Sequence, residues 1–206
     1  MAVHVVDHPL AKHLVNSLRD RTTRPEAFRQ MSRTLSTMLV FEATRGIRCD
    51  SRVVETPLAE TVGDFLGQGL AVVPVLRAGL AMLESALILF PDVAVGYIGL
   101  ERDHNTAVAH SYYCKLPNLA DRFTLCVDPM LATGGSASQA VALLKANGAK
   151  PVVFVSVISA PEGIERLQRD HPDVEIYTAA VDDRLNELKY IVPGLGDFGD
   201  RLYGTM

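Results

Sequence analysis

Apolar residues recur at three- and four-residue spacing between residues 9 and 45: Leu10, Leu14 and Leu18, then Phe28, Met31, Leu35, Met38 and Leu39. That spacing stacks them on one helical face. The run breaks at Thr22–Pro25, and Pro25 suits the first turn of a second helix, so two helices are predicted. Downstream the pattern changes to short continuous apolar runs. Ala71–Leu76 is one, ending in Arg77-Ala78-Gly79, and Val93–Leu100, Phe123–Val127, Val152–Ile158 and Glu175–Ala180 read as strands. Between them lie helical stretches at Leu80–Leu89, at Ala137–Ala146 with Asn147-Gly148 as its stop, and at Pro161–Arg169.

Strands alternating with helices predict an α/β fold with a largely parallel sheet flanked by helices. Two stretches fall outside this rhythm. Residues 101–120 are polar and irregular, as expected of a functional loop or a mobile hairpin. Residues 190–206 are rich in glycine and are expected to be mostly loop. No internal repeat, low-complexity tract or linker divides the 206 residues, which predicts one domain with a helical N-terminal extension over about 1–45.

Composition narrows the function classes. With 48% hydrophobic and 21% charged residues, the chain can bury a core and is not of the disordered type. A net charge of −4 and no evident basic stripe argue against a nucleic-acid partner. The three cysteines, Cys49, Cys114 and Cys126, are odd in number and lack zinc-ligand spacing, so neither a disulfide framework nor a structural metal site is expected. The first residues show no signal-peptide pattern, and no apolar stretch is long enough to span a bilayer. A cytoplasmic protein without a membrane partner is the expectation.

The candidate chemistry lies after the strand ending at Val127. Asp128-Pro129-Met130-Leu131-Ala132-Thr133-Gly134-Gly135-Ser136 leads directly into a helix. The two glycines let the backbone turn tightly and converge N–H groups, and the helix N-terminus adds unpaired donors and partial positive charge. Thr133 and Ser136 add hydroxyls. A monophosphate fits such a cradle. A strand–turn–helix joint with an N-capping serine accounts for Gly-Gly-Ser equally well, and these residues alone leave both readings open. The segment is neither a Walker loop, since no Lys-Ser/Thr follows the glycines, nor a dinucleotide fingerprint.

Taken whole, the segment resembles the phosphoribosyl-pyrophosphate (PRPP) motif of the type I phosphoribosyltransferases. Pro129, where most members carry a second acid, is similar to the uracil phosphoribosyltransferase branch. Further stretches resemble the same family: Val72–Gly79 its pyrophosphate loop, Tyr112-Tyr113-Cys114-Lys115-Leu116-Pro117 the tail of its flap over 103–120, Pro161-Glu162-Gly163-Ile164, and Tyr190–Asp200 its uracil-binding hood.

The resemblance implies the type I phosphoribosyltransferase fold, a base-binding hood over about 175–206, and transfer of a phosphoribosyl group from PRPP to uracil, giving UMP and diphosphate in pyrimidine salvage. By position it implies PRPP binding by Arg77, Arg102, the nine residues Asp128 to Ser136, and Asp197. It places uracil at Ile191, Gly196, Asp197 and Phe198, and the flap at Tyr112 and Lys115. Catalysis falls to Asp128, Arg77 and Asp197, with Mg2+ held through the substrate's diphosphate and ribose hydroxyls. It also implies a homodimer or larger homo-oligomer and admits GTP as an effector. Phe198 stands where some relatives have alanine, and its contact to the base is expected through the backbone. Two competing readings keep the fold and change the ligand: a phosphoribosyltransferase for another base, and an RNA-binding regulator. The acidic balance counts against the second.

Overall fold

The computed structural model describes residues 2–102 and 109–205, with backbone alone at 101, 102 and 109–111. The chain starts with strand β1 (Val3–Val5) and the two expected helices, α1 (Pro9–Arg19) and α2 (Pro25–Ala43). Each helix has proline in its first turn, where a missing N–H costs nothing. The His8 ring caps α1, its Nδ1 accepting from the Leu10 N–H at 3.0 Å. A hairpin of β2 (Cys49–Glu55) and β3 (Glu60–Leu66) follows and has no counterpart among the elements expected from periodicity. Then come β4 (Gly69–Leu76), α3 (Leu80–Leu89), β5 (Ala94–Val95), β6 (Tyr97–Arg102), β7 (Ala109–Lys115) and β8 (Arg122–Val127). The second half holds β9 (Met130–Leu131), α4 (Gly135–Ala146), β10 (Val152–Ser159), α5 (Pro161–Asp170), β11 (Glu175–Val181), β12 (Arg184–Leu185), β13 (Ile191–Val192) and α6 (Phe198–Tyr203).

The main sheet runs β1-β11-β10-β8-β4-β6-β7, with β5 beside β4 and β9 beside β10. Every pairing in it is parallel except β6 with β7. Helices cover both faces, which explains the continuous apolar runs. Along β8 and β10, Phe123, Leu125, Val127, Val153, Val155 and Val157 face the core under α1, α2 and α3. Their alternates Cys126, Val152 and Phe154 face the core under α4 and α5. A strand buried on both sides has no polar face to alternate with.

Three expectations change. The strand read over Val93–Leu100 is two strands parted at Gly96. The polar stretch 101–120 contains β7, an edge strand antiparallel to β6, so the hairpin alternative holds for its described part. The C-terminal segment is only half loop, because β13 (Ile191–Val192) and the helix Phe198–Tyr203 take up the other half of its described residues. Glycine at 199 is a poor helix former, and packing overrides it. Phe198 is 1% exposed, and its ring meets Phe28 of α2 edge-on at 5.1 Å.

Candidate active site

In the sheet, β8, β4 and β6 are parallel neighbours, with Val127 beside Pro74 and Leu76 beside Gly99. Their carboxyl ends carry Asp128, Arg77 and Arg102 respectively. The helices that follow diverge: α3, after β4, packs on the core shared with α1 and α2, whereas α4, after β8, packs on the opposite core. The border of β4 and β8 is therefore a topological switch point. Open α/β sheets bind ligands there, because the two connections leave in opposite directions and open a crevice.

A cleft of about 240 Å³ lies in that region. It is lined by Asp128, Met130, Leu131, Ala132, Thr133, Gly134, Gly135 and Ser136 on one side and by Ile191, Gly196, Asp197 and Phe198 on the other. Of the predicted site residues these twelve come together. Pro129 lies beneath the loop, buried, its carbonyl accepting from the Val157 and Ile158 N–H groups at 3.0 and 3.1 Å. Arg77 is exposed in the turn after β4, next to Ala78, which lines the cleft. Tyr112 and Lys115 sit on β7 and do not line it. Arg102 ends β6, and its side chain lies outside the described residues, as do flap residues 103–108. Lys189 and Tyr190 also line the cleft; Tyr190 opens the stretch that resembles the hood but was given no role of its own, and Lys189 lies outside that stretch. Nothing in their residue types marks them, since exposed Lys-Tyr pairs are ordinary surface.

On the 128–136 side of the cleft the helix N-cap has no capping side chain, and Thr133 Oγ1 makes only a long 3.5 Å contact with the Gly135 N–H. Helix α4 begins at Gly135, two residues before the predicted start, and its N-cap is Gly134, in the left-handed conformation at φ 73°. Gly134 has no side-chain oxygen, and Ser136 lies inside the first turn, so the capping-serine account of the motif fails. The first-turn donors that a cap would occupy point to where a ligand oxygen could sit. The loop is pressed against α5 at Gly163. A Cβ built on Gly163 would lie 2.4 Å from the Ala132 carbonyl oxygen, and one on Gly134 would lie 2.7 Å from that of Gly163. This close approach explains the glycine in Pro161-Glu162-Gly163-Ile164.

The opposite wall is backbone-rich. Asp197 caps α6, its Oδ1 accepting from the Asp200 N–H at 2.9 Å. Gly196 beside it is exposed to the cleft, with φ 79°. Since the Phe198 side chain is buried against Phe28, its contribution to the cleft is main chain. Beneath the site, burial and then the Asp128 charge push the Cys126 thiol well above the usual range, which keeps it protonated and inert.

Similarity to known proteins agrees with this geometry. The uracil phosphoribosyltransferase family model matches residues 5–205. The uracil phosphoribosyltransferase of Dictyoglomus turgidum is 52% identical over 205 residues, 98% of this chain and 99% of that one. That of Thermus thermophilus is 48% identical over 207 residues, covering 100% of each. Among solved structures, the AQ2163 protein from Aquifex aeolicus superposes with a TM-score of 0.93 at 40% identity, covering 98% of both chains. A hypoxanthine-guanine phosphoribosyltransferase from Bacillus anthracis, at 11% identity and TM-score 0.53 over 77% of this chain and 80% of that one, shares the fold. A parallel sheet with its cleft at the switch point, a cap-free glycine cradle after Asp128, and a family match over nearly the full length place this chain in the uracil phosphoribosyltransferase family.

Proposed function

We infer that the cleft between the 128–137 loop and the 189–199 segment is where this chain performs the family's reaction: the phosphoribosyl group of PRPP passes to N1 of uracil, giving UMP and diphosphate. One observation carries the reading. A phosphate cradle and a backbone-rich wall, some sixty residues apart in the chain, face each other across one crevice. A sugar phosphate and a flat base held there would meet at the anomeric carbon.

The residues divide the work as follows. Thr133, Gly134, Gly135 and Ser136 grip the 5-phosphate, and that remote binding energy aligns the reacting carbon. Asp128 accepts hydrogen bonds from the ribose hydroxyls and stabilises the positive charge that grows on the ring. The anomeric C–O bond to diphosphate breaks, the C–N1 bond forms, and the N1 proton is released. No protein nucleophile is needed. Arg77 and Arg102 counter charge on the leaving diphosphate, a task for planar, permanently charged groups. Ile191 and Gly196 to Phe198 read the acceptor–donor–acceptor edge of uracil, largely through main chain, and Tyr112 and Lys115 belong to the covering flap. Closure matters, because water would capture the activated sugar.

Phosphoribosyltransferases generally use a divalent metal. Among the described residues no group of three or more His, Cys, Asp and Glu side chains could hold one unaided. Asp128 and Asp197 do share the cleft, and two carboxylates plus substrate oxygens suit Mg2+, which keeps few protein ligands. When bound, the ion supplies charge neutralisation on the diphosphate.

A homo-oligomer is supported by unpaired apolar surface. Among the described residues the β2–β3 hairpin pairs with no other strand, and Val53 and Val62, opposite one another in it, are 69% and 68% exposed. An isolated hairpin is marginal in water and gains from a covering surface. Three free cysteines and no described helix able to cross a membrane are compatible with a cytoplasmic setting.

The test is UMP formation from uracil, PRPP and Mg2+, with orotate and hypoxanthine as competing bases. Uracil should be the preferred base, and excess chelator should abolish turnover. Equal use of hypoxanthine, or full activity in chelator, would overturn the reading. The same assay with and without GTP tests the effector that the resemblance admits.

A further inference from the structure

Two arginines outside the cleft converge on the backbone just before its base-facing residues. Arg19, at the end of α1, forms a two-pronged ion pair with Asp182, whose side chain is 3% exposed. Between them they hold both polar groups of Gly194. Arg19 Nη1 donates to the Gly194 carbonyl at 2.7 Å, and the Gly194 N–H donates to Asp182 Oδ2 at 2.8 Å. The next carbonyl, that of Leu195, accepts from Arg201 Nη1 at 2.8 Å. Three backbone groups of Gly194 and Leu195, just before Gly196 and Asp197, are thus held by side chains.

Arg201 is 6% exposed, and its guanidinium donates to backbone carbonyl oxygens. Besides Leu195 it reaches the carbonyls of Leu18 and Asp20, the latter at 2.5 Å, where the carboxyl end of α1 carries partial negative charge. Its guanidinium lies over the Phe28 ring, 4.6 Å from the centroid, and Phe28 in turn meets Phe198. Burying a cation is costly unless its donors are used. Here they fasten α6 and the segment before it to α1. Gly194 makes that segment tight as well: at φ 61°, a Cβ on it would lie 2.0 Å from the Ile191 carbonyl oxygen.

We propose that Arg19 and Arg201, with Asp182, are positioning residues for the base: they fix the main chain that reads uracil by tying it to helix α1. The proposal rests on the reading that Gly196 to Phe198 contacts uracil. Recognition through backbone groups needs a backbone held to within a fraction of an ångström, because no rotamer can compensate for a shift. The N-terminal helices are then part of base recognition although they line none of the cleft. The side-chain hydrogen bonds of Arg19, Asp182 and Arg201 given above go to one another, to the end of α1 and to Gly194 and Leu195, on the wall opposite the proposed phosphate cradle.

The experiment is steady-state kinetics of Arg201→Met and Arg19→Gln, with uracil and PRPP varied separately. Each variant is expected to raise the uracil KM about tenfold or more and the PRPP KM by no more than about threefold, since of the clamped segment only Asp197 is assigned to PRPP. A purely structural role would move both together. Parallel rises in the two KM values, or an unchanged uracil KM, would overturn the proposal. If Arg201→Met does not fold, Arg19→Gln decides, because it acts at the more accessible side of the clamp. Gly196→Ala separates the layers of the argument. If it raises the uracil KM and the arginine variants do not, the clamp fails alone. If Gly196→Ala also leaves that KM unchanged, the base assignment fails and the clamp with it.

Discussion

At the scale of single residues, Asp128 and Phe198 show how position assigns a task. Asp128 is half-buried at the mouth of a fully buried strand end, and its Oδ1 makes a long 3.4 Å contact with the Met130 N–H. Its carboxylate carries the negative charge that the proposed mechanism uses. Asp128→Asn keeps the shape and removes that charge. It should change stability by less than about 1 kcal/mol while lowering kcat/KM about a hundredfold or more. Thermal denaturation and UMP-formation kinetics check the two halves, and near-normal kcat/KM would remove Asp128 from the mechanism. Phe198 is the contrasting case. Its ring goes into the contact with Phe28, which leaves main chain facing the cleft. The sequence motif named both residues. It could not say which presents a side chain, since that depends on what lies behind each.

At the scale of elements, the joint between β8 and α4 carries the site. Its proposed chemistry reads from Thr133-Gly134-Gly135-Ser136, but the sequence places the start of the helix two residues late. Serine is a common N-cap and glycine a poor helix former, so local rules favour a helix starting after Ser136. The left-handed Gly134 starts it earlier and leaves the cap position without a side chain. What holds the loop there is non-local: the contact of Gly134 and Ala132 with Gly163 of α5. Gly163→Val should therefore push the loop out of place. The expected outcome is a loss of about 1–3 kcal/mol in stability from overpacking and a rise of about tenfold or more in the PRPP KM. Chemical denaturation and initial-rate kinetics would show it, and a wild-type PRPP KM would mean that the cradle does not depend on α5. The C-terminal helix α6 makes a related point. Its glycine-rich sequence reads as loop, and it is helical because Phe198, Arg201 and Leu202 are buried against α1 and α2.

At the scale of the whole molecule, two features concern how surfaces meet. The first is the crevice at the β4–β8 border, which exists because α3 and α4 leave for opposite faces. The second is the β2–β3 hairpin, which carries exposed Val53, Leu58, Val62, Phe65 and Leu66. If another copy covers it, replacing the facing pair with opposite charges, Val53→Lys with Val62→Glu, should keep the hairpin but weaken self-association. Sedimentation at graded concentrations should then show a dissociation constant raised about tenfold or more. An unchanged oligomer, or a wild-type monomer, would count against this surface as the contact.

Much of the site was readable in the chain because its parts are local: an acid at the end of an apolar strand, glycines before a helix, a glycine-rich stretch near the C-terminus. Strand and helix identities were equally local, since burial on both faces writes itself as uninterrupted apolar runs. What periodicity does not encode is which side of the sheet each helix covers, and hence where the crevice opens. Nor does it place residues 128–136 and 191–198 on facing walls, or show that Arg19 and Arg201 close on Gly194 and Leu195. These are contacts between segments far apart in the chain, fixed by packing of the complete core. The residues of the proposed phosphate cradle are legible one by one; that they form one wall of a two-walled cleft is a property of the assembled fold.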